Sequence, residues 1–497
     1  MTKSAFVFPL LLVGLGSCNS NFETYSSNEP VTSKSESTSE IALMQQSTSM
    51  TKLYDTSCAK CHGANGEGGG AGTASLLTKA KYDQKNDKPY FDIIKNGTGD
   101  GGMDAYGQTL ADKEIWGLVV HIRELQERGL RSELRPKATN GVFSSTGHPY
   151  KVETVVARDK GLDVPWGIDW LPDGTMLVTN RPGDLVTVKS GEVTQTIEGT
   201  PEAFANGQGG LMDVAVHPNY AKNGWIYLSF SDPGKANSNS GLTKIVRGKI
   251  SGNQWVSQQT ICEFDAIDYT GGGLHFGSRI VFDGKGNIFF ALGDRGRGER
   301  AQDLTKPNGK IFRVKEDGSI PSDNPFAKGT NGALPQIWSY GHRNTQGLVI
   351  DLNGTLWDTE HGPRGGDEVN KIEKGANYGW PVISHSINYN DAPLTTPWPA
   401  PGQDMKTPVF RWLPSIGASG LDVVRGDKFP KWKGDLIAGG LAGANVDRIK
   451  IKDGVFIEQE TLIKGMGRVR DVATGPDGFI YVALNQPDMI VRIVPAK

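Results

Sequence analysis

From residue 151 onward the chain alternates short polar turns with short apolar strands. Each turn pairs Asp, Asn or Lys with glycine, and each strand that follows is rich in aliphatic and aromatic side chains. The units begin at Pro172-Asp173-Gly174 (then MLVTN), Lys222-Asn223-Gly224 (WIYLSF), Asp283-Gly284-Lys285-Gly286 (NIFFALGD), Leu352-Asn353-Gly354 (TLWDTE), Lys431-Trp432-Lys433-Gly434 (DLIAGG) and Pro476-Asp477-Gly478 (FIYVAL). A glycine turn leading into such a strand is a hairpin signal. Its recurrence predicts radially repeated four-stranded units, a mainly β fold with six propeller blades. Intervals of about 40 to 80 residues leave room for long inserts between blades. A β-sandwich array is the alternative, and the recurrence of one turn-strand unit argues against it.

The chain ahead of residue 150 follows another period. Ile115, Leu118, Val119, Ile122 and Leu125 recur at helical spacing, which predicts an amphipathic helix. Thr109-Leu110-Ala111-Asp112 resembles its capping box. Upstream stands Cys58-Ala59-Lys60-Cys61-His62, two thiols three residues apart followed by an imidazole. That is the attachment signature of a c-type haem. Cys58 and Cys61 would form the thioethers, and His62 would be the proximal iron ligand. Met103, in the glycine-rich stretch Gly101-Gly102-Met103-Asp104, is the expected sixth ligand, since a thioether keeps the iron in electron transfer. His121 is the rival, expected partly exposed on the helix. A small all-α cytochrome c domain is therefore expected over 51–128, a polar linker over 129–150 and the propeller over 151–497.

At the N-terminus Lys3 precedes an apolar run from Ala5 to Leu15, then Gly16-Ser17-Cys18. This reads as a signal peptide (1–18) ending in a lipoprotein box, with Cys18 lipidated. The run is too short to span a bilayer. Residues 19–50, rich in Ser, Thr, Glu and Asn, read as a disordered tether. The expected location is the cell envelope, exported and lipid-anchored to a membrane on the periplasmic side, and Asn19 after Cys18 points to the outer membrane. Of four cysteines only Cys262 is left over, so no structural disulfide is expected and Cys262 reads as a small buried apolar residue.

Composition adds little to this picture. A chain of 497 residues fits two or three domains, and 65 glycines with 11 tryptophans suit turn-rich β structure. A net charge of -2 gives no sign of nucleic acid or another polyanionic macromolecule as partner.

The polar clusters fall between the strands, where channel loops of a propeller would lie. Arg343, Arg468 and Arg470 together favour an anionic, planar, carboxylate-bearing ligand. The Gly362-Pro363 carbonyls, with Asp367 and Glu368 nearby, suit an oxygen-seeking cation such as Ca²⁺. His275, among glycines, has room to act as a base.

These residues carry a family resemblance. The segment from about 155 to 495 resembles the soluble pyrroloquinoline quinone (PQQ)-dependent aldose sugar dehydrogenases. The matching stretches are Pro165-Trp166-Gly167, Gly207-Gln208-Gly209-Gly210-Leu211, His275 with Arg279, Gly341-His342-Arg343-Asn344, His361 to Glu368, Asn377-Tyr378-Gly379-Trp380-Pro381 and Arg468 with Arg470-Asp471. The resemblance implies His275 as catalytic base, Asp294 as the acid that orients it, and Gln208, Arg343, Asn344, Tyr389, Arg468 and Arg470 as PQQ contacts. It implies Gly362 and Pro363 as carbonyl ligands of an active-site calcium, and Glu368 and Tyr378 as a second calcium site.

The chain departs from that pattern at Ala442, where a PQQ-contacting lysine is expected, at Leu274 before the base, and at Asp104 after Met103, where proline is common. The implied reaction is oxidation of an aldose at C1 to its lactone. Arg343 would stabilise charge on the reduced quinone, and electrons would pass to the fused haem and on to a respiratory acceptor. A sorbosone-type or other alcohol or aldehyde dehydrogenase, and a non-enzymatic carbohydrate-binding haem propeller, are the alternatives.

Overall fold

The computed structural model describes residues 49–99, 101–234, 239–394 and 404–496. The signal segment, Cys18 and the tether as far as residue 48 lie outside the described residues.

Six antiparallel sheets make the ring. Their second strands are Met176–Asn180, Ile226–Pro233, Asn287–Leu292, Leu356–Glu360, Leu436–Gly440 and Ile480–Asn485. Each of the six apolar signals in the sequence thus marks one blade. Most of these strands are buried along their whole length, as in Met176–Asn180 and Leu436–Gly440, because blades pack face to face. Outer strands such as Glu192–Ile197 alternate exposed and half-buried side chains. Between two blades Phe429 stacks on Trp432 at 4.7 Å, within a cluster that includes Val446, Val469 and Ile493. The ring closes where Tyr150–Val156 pairs with Met489–Pro495, placing Val152 opposite Ile493.

Ahead of the ring lie helices Met50–Ser57, Ala59–His62, Lys79–Tyr82, Asp87–Asn96 and Asp112–Leu134. The apolar stripe read from sequence packs here: Ile115, Leu118, Val119, Ile122 and Leu125 meet Tyr54, Phe91 and Ile94. The helix starts two residues later than its sequence signal. Ala111 is the N-cap, with its N–H held by the Glu114 carboxylate at 2.9 Å, while the Thr109 hydroxyl donates to the Tyr106 carbonyl. It also runs past residue 128 to Leu134, because Leu130 is buried. Part of the remaining 129–150 segment, Ala138–Thr139 and Val142–Phe143, extends the closing sheet.

His121 is buried rather than partly exposed, its ring 5.0 Å from that of Tyr54. The helix is packed on two sides, since Val120 next to it meets Met50 and the propeller residue Ile387. Cys262 is buried as a free thiol, and burial pushes that thiol up to about 12.

Ion pairs fasten the helical domain to the ring. Arg364 donates to both oxygens of Glu124 at 2.8 Å and to Asp391 at 2.8 Å. Asp391 in turn accepts the Ser49 hydroxyl at 2.6 Å and the Thr51 N–H at 2.8 Å. Deeper in, Asp87 lies between Arg123 and Arg411, both bonded at 2.6 Å. Removing one partner of a buried set of this kind leaves an uncompensated charge, so the contact favours one docked arrangement.

Candidate active site

The site is built where the chain enters the first strand of a blade, as ahead of Ile280–Phe282 and Thr345–Ile350, and where it leaves the second, as after Asn287–Leu292 and Leu356–Glu360. His275 has a φ of 53°, a left-handed conformation that non-glycine residues adopt mainly where surrounding structure forces it. Its N–H donates to the Gln208 side chain at 2.9 Å. Arg295 enforces the loop's shape: it donates to the carbonyls of Leu274, Gly272 and Thr270 and stacks over the Phe276 ring.

His275 Nδ1 lies 2.6 Å from Asp294 Oδ1. An ionised carboxylate only accepts, so Nδ1 carries the proton and Nε2 is left with a free lone pair. Burial, and the nearby Arg343, push the imidazole below its ordinary value, against the opposing pull of Asp294. Burial works against the Asp294 charge, yet the His275 bond and Arg343 outweigh it and hold its carboxyl low. A neutral histidine oriented by a charged aspartate has the protonation state and orientation that a general base needs.

Arg343 and Asn344 join this dyad through the backbone. The Asp294 N–H donates to the Arg343 carbonyl at 2.8 Å, and Asn344 accepts the Gly277 N–H at 3.0 Å. Arg343 donates to the Gly362 carbonyl at 3.0 Å, and its own N–H is held by Glu360 at 2.7 Å. His361, between these elements, is pushed down to about 3 by burial and then by Arg343 and His275.

The arginines are not neutralised. Among the described residues no carboxylate pairs with Arg181, Arg343, Arg468 or Arg470, and the Nε atoms of Arg181, Arg343 and Arg470 are buried without a hydrogen-bond partner. Burial, and then Arg468 and Arg181, bring Arg470 down to about 10. Buried like charges with unspent donors call for a polyanionic ligand. A planar tricarboxylate such as PQQ fits that demand.

The acidic face beside Gly362 suits a cation. Asp358 and Glu360 stand directly opposite Asn370 and Glu368 across two strands, and like charges in that register repel. His342 Nδ1 lies 3.2 Å from Glu360 and 3.6 Å from Asp358. One oxygen of fully buried Asp358 has no hydrogen-bond partner, and burial with the Glu360 charge pushes its carboxyl up to about 8. Gly362 is close by, its N–H held by Asp367 at 2.9 Å. The Tyr378 phenol is spent on Lys371 and Glu373, which leaves its carbonyl as the group it can offer a metal.

Other expected residues fall elsewhere. Tyr389 is 72% exposed at a turn tip, away from the dyad's bonding network. Arg279 is structural: it bridges Asp213 at 2.7 Å and Asp471 at 3.0 Å, from two different blades. Ala442 is exposed and brings no charge. Sequence reasoning gave no role to Trp380, whose indole N–H donates to Asp294 at 2.8 Å, or to His342 and Asp358. Trp380 and His342 lie inside motifs already quoted and Asp358 inside a quoted blade strand, but Trp380 meets its partner Asp294 across 86 residues.

In the helical domain Cys58 joins the helices Met50–Ser57 and Ala59–His62, and Cys61 and His62 lie on the second of them. Met103 and Cys58 border the same apolar cluster. His62 Nδ1 is buried without a partner, and burial pushes the imidazole down. Two free thiols, a neutral imidazole and a thioether around one apolar cluster form a donor set that fits a covalently held haem.

Residues 162–492 match the family model described as Glucose / Sorbosone dehydrogenase, and residues 45–122 match Cytochrome C oxidase, cbb3-type, subunit III. The Aldose sugar dehydrogenase YliI of Escherichia coli is 39% identical over 345 residues, 68% of this chain and 91% of that relative. A crystal structure of the E. coli soluble aldose sugar dehydrogenase in the apo-form superposes with a TM-score of 0.65 at 37% identity, covering 70% of this chain and all of that one. The PQQ-bound aldose sugar dehydrogenase of Streptomyces coelicolor superposes with a TM-score of 0.54 at 26% identity, covering 72% of this chain and 99% of that one.

Proposed function

Because this chain belongs to the Glucose / Sorbosone dehydrogenase family and carries a cytochrome c domain ahead of its propeller, we propose that it oxidises an aldose sugar at C1, with PQQ and Ca²⁺ in the propeller and a c-type haem as built-in electron acceptor. When bound, PQQ supplies the hydride acceptor, calcium the Lewis acidity and haem a one-electron sink. The single observation that carries this reading is the cluster of unpaired arginines beside the His275–Asp294 dyad.

The chain's own residues have distinct tasks in this reading. His275 Nε2 takes the proton of the C1 hydroxyl, while Asp294 keeps Nδ1–H in place. Arg343, Arg468 and Arg470 hold the carboxylates and stabilise developing negative charge. Gln208 holds the base's backbone. Gly362 and Pro363 offer carbonyls to one calcium, and Glu368 with the Tyr378 carbonyl to a second. Cys58 and Cys61 bind the haem, with His62 and Met103 on its iron. Cys18 would anchor the exported chain on the periplasmic side, in the outer membrane, and a respiratory acceptor would take the electrons onward.

The test is absorbance at the haem α-band when a sugar panel is added to the purified full chain, with and without PQQ and Ca²⁺. Sugar-dependent reduction that needs both additions is expected, and His275→Ala should abolish it with the haem spectrum intact. No reduction of haem or of a dye acceptor under any condition overturns the enzymatic reading in favour of a carbohydrate-binding haem propeller. Leu274, 52% exposed beside the base, puts an apolar edge against the substrate, so the panel should include sorbosone-like aldehydes. Preference for those moves the substrate class without moving the chemistry.

A further inference from the structure

The Asp294 carboxylate is engaged on both oxygens. Oδ1 accepts His275 Nδ1–H at 2.6 Å and the Gly296 N–H at 2.8 Å, while Oδ2 accepts the indole N–H of Trp380 at 2.8 Å. The same indole ring lies 5.3 Å from the guanidinium carbon of Arg343, within range of a cation–π contact. Its backbone is pinned on both sides. The Trp380 N–H donates to the Gly341 carbonyl at 2.9 Å, and its own carbonyl accepts Gln302 Nε2 at 2.7 Å. One side chain therefore touches both the carboxylate that orients the base and the arginine that faces the ligand.

We propose that Trp380 is a positioning residue for the sugar oxidation. It holds Asp294 in the plane where His275 Nδ1–H stays bonded and Nε2 stays free, and it seats Arg343 on its ring. This rests on the reading of His275 as the base. A tryptophan that merely filled space could satisfy its N–H with any carbonyl. Here the donor is spent on a buried carboxylate, where a charge-assisted bond is about twice as strong as a neutral one.

The test is Trp380→Phe in the full chain, which keeps an aromatic ring and removes the N–H. A kcat lower by about tenfold or more is expected, the worth of one hydrogen bond to a charged group, with KM nearly unchanged. The second readout needs no cofactor. In the ¹H–¹⁵N spectrum of the His-labelled chain, the Nδ1–H of His275, assigned by its loss in His275→Ala, should shift upfield and exchange faster in Trp380→Phe. A structural role alone would lower Tm and leave that resonance in place. Unchanged kcat with an unchanged resonance overturns the proposal. Should Trp380→Phe fail to fold, Gln302→Leu releases the Trp380 carbonyl and is read by the same two criteria. Full turnover in His275→Ala would sink the base assignment itself, whereas a dead His275→Ala beside a normal Trp380→Phe sinks only the role of Trp380.

Discussion

Arg364 holds Glu124 through two bonds of 2.8 Å, and this pair ties the helix Asp112–Leu134 to the turn that carries Gly362 and Pro363. The helical domain is thus attached to the Gly362-Pro363 turn rather than left on a tether. Glu124→Ala should loosen the docking by about 1 to 2 kcal/mol, the range for a charge-assisted pair that is partly buried. Limited proteolysis should then cut within 129–150 faster. Sugar-driven haem reduction should slow, while turnover with a diffusible dye stays at the parental rate.

Acid should switch off the base. His275 titrates below the ordinary histidine value of about 6.5 because it is buried. It is therefore neutral and competent at pH 7, and kcat/KM should fall only as pH drops through that lowered value. The same shift acts on stability. The unfolded chain takes up the proton first, so stability is lost as pH falls below about 6.5 and levels off once the folded imidazole is also protonated. A pH–rate profile of the reconstituted enzyme, beside thermal melts of the apo chain, checks both.

Arg470→Ala should separate folding from cofactor binding. Arg470 is burdened by burial and by Arg468 and Arg181, so its removal relieves repulsion in the apo chain and Tm should hold or rise. Affinity for PQQ, measured by fluorescence titration, should fall at least tenfold, about 1.4 kcal/mol. Its dependence on salt should weaken as one cation is withdrawn.

Calcium should raise the melting temperature in proportion to the logarithm of its concentration once the site fills, as for any ligand of the native state alone. Glu368→Gln should blunt that response. Because Glu368 opposes Glu360 across the strands, the variant should also be the more stable protein in chelator, where no cation offsets the two charges.

The ring was legible from local pattern, since a glycine turn and the strand after it lie within one short stretch of chain. The haem-attachment motif was legible for the same reason, as Cys58, Cys61 and His62 are neighbours in sequence. His275 and Asp294 emerged through family resemblance, and their geometry agrees with the roles so implied. Trp380 did not emerge, because it meets Asp294 across 86 residues and only blade register brings the two together. The Arg279–Asp471 bridge was hidden likewise, since it joins two different blades. His121 was misjudged because one face of its helix was counted and the ring covers a second. The two-residue error at the helix start came from giving Thr109 a capping task, when Glu114 performs it from inside the helix.

The pairing of Tyr150–Val156 with Met489–Pro495 sets an order of events in biogenesis. A ring whose first and last strands share one sheet has no complete final blade until the last residues have been delivered. The helical domain needs nothing from the far end of the chain for its own apolar cluster, and segments nearer the N-terminus generally fold first. The proposed haem attachment at Cys58 and Cys61 can therefore precede ring closure. Deleting Met489–Pro495 should leave a helical domain that still takes up its proposed haem, joined to a propeller that cannot shut.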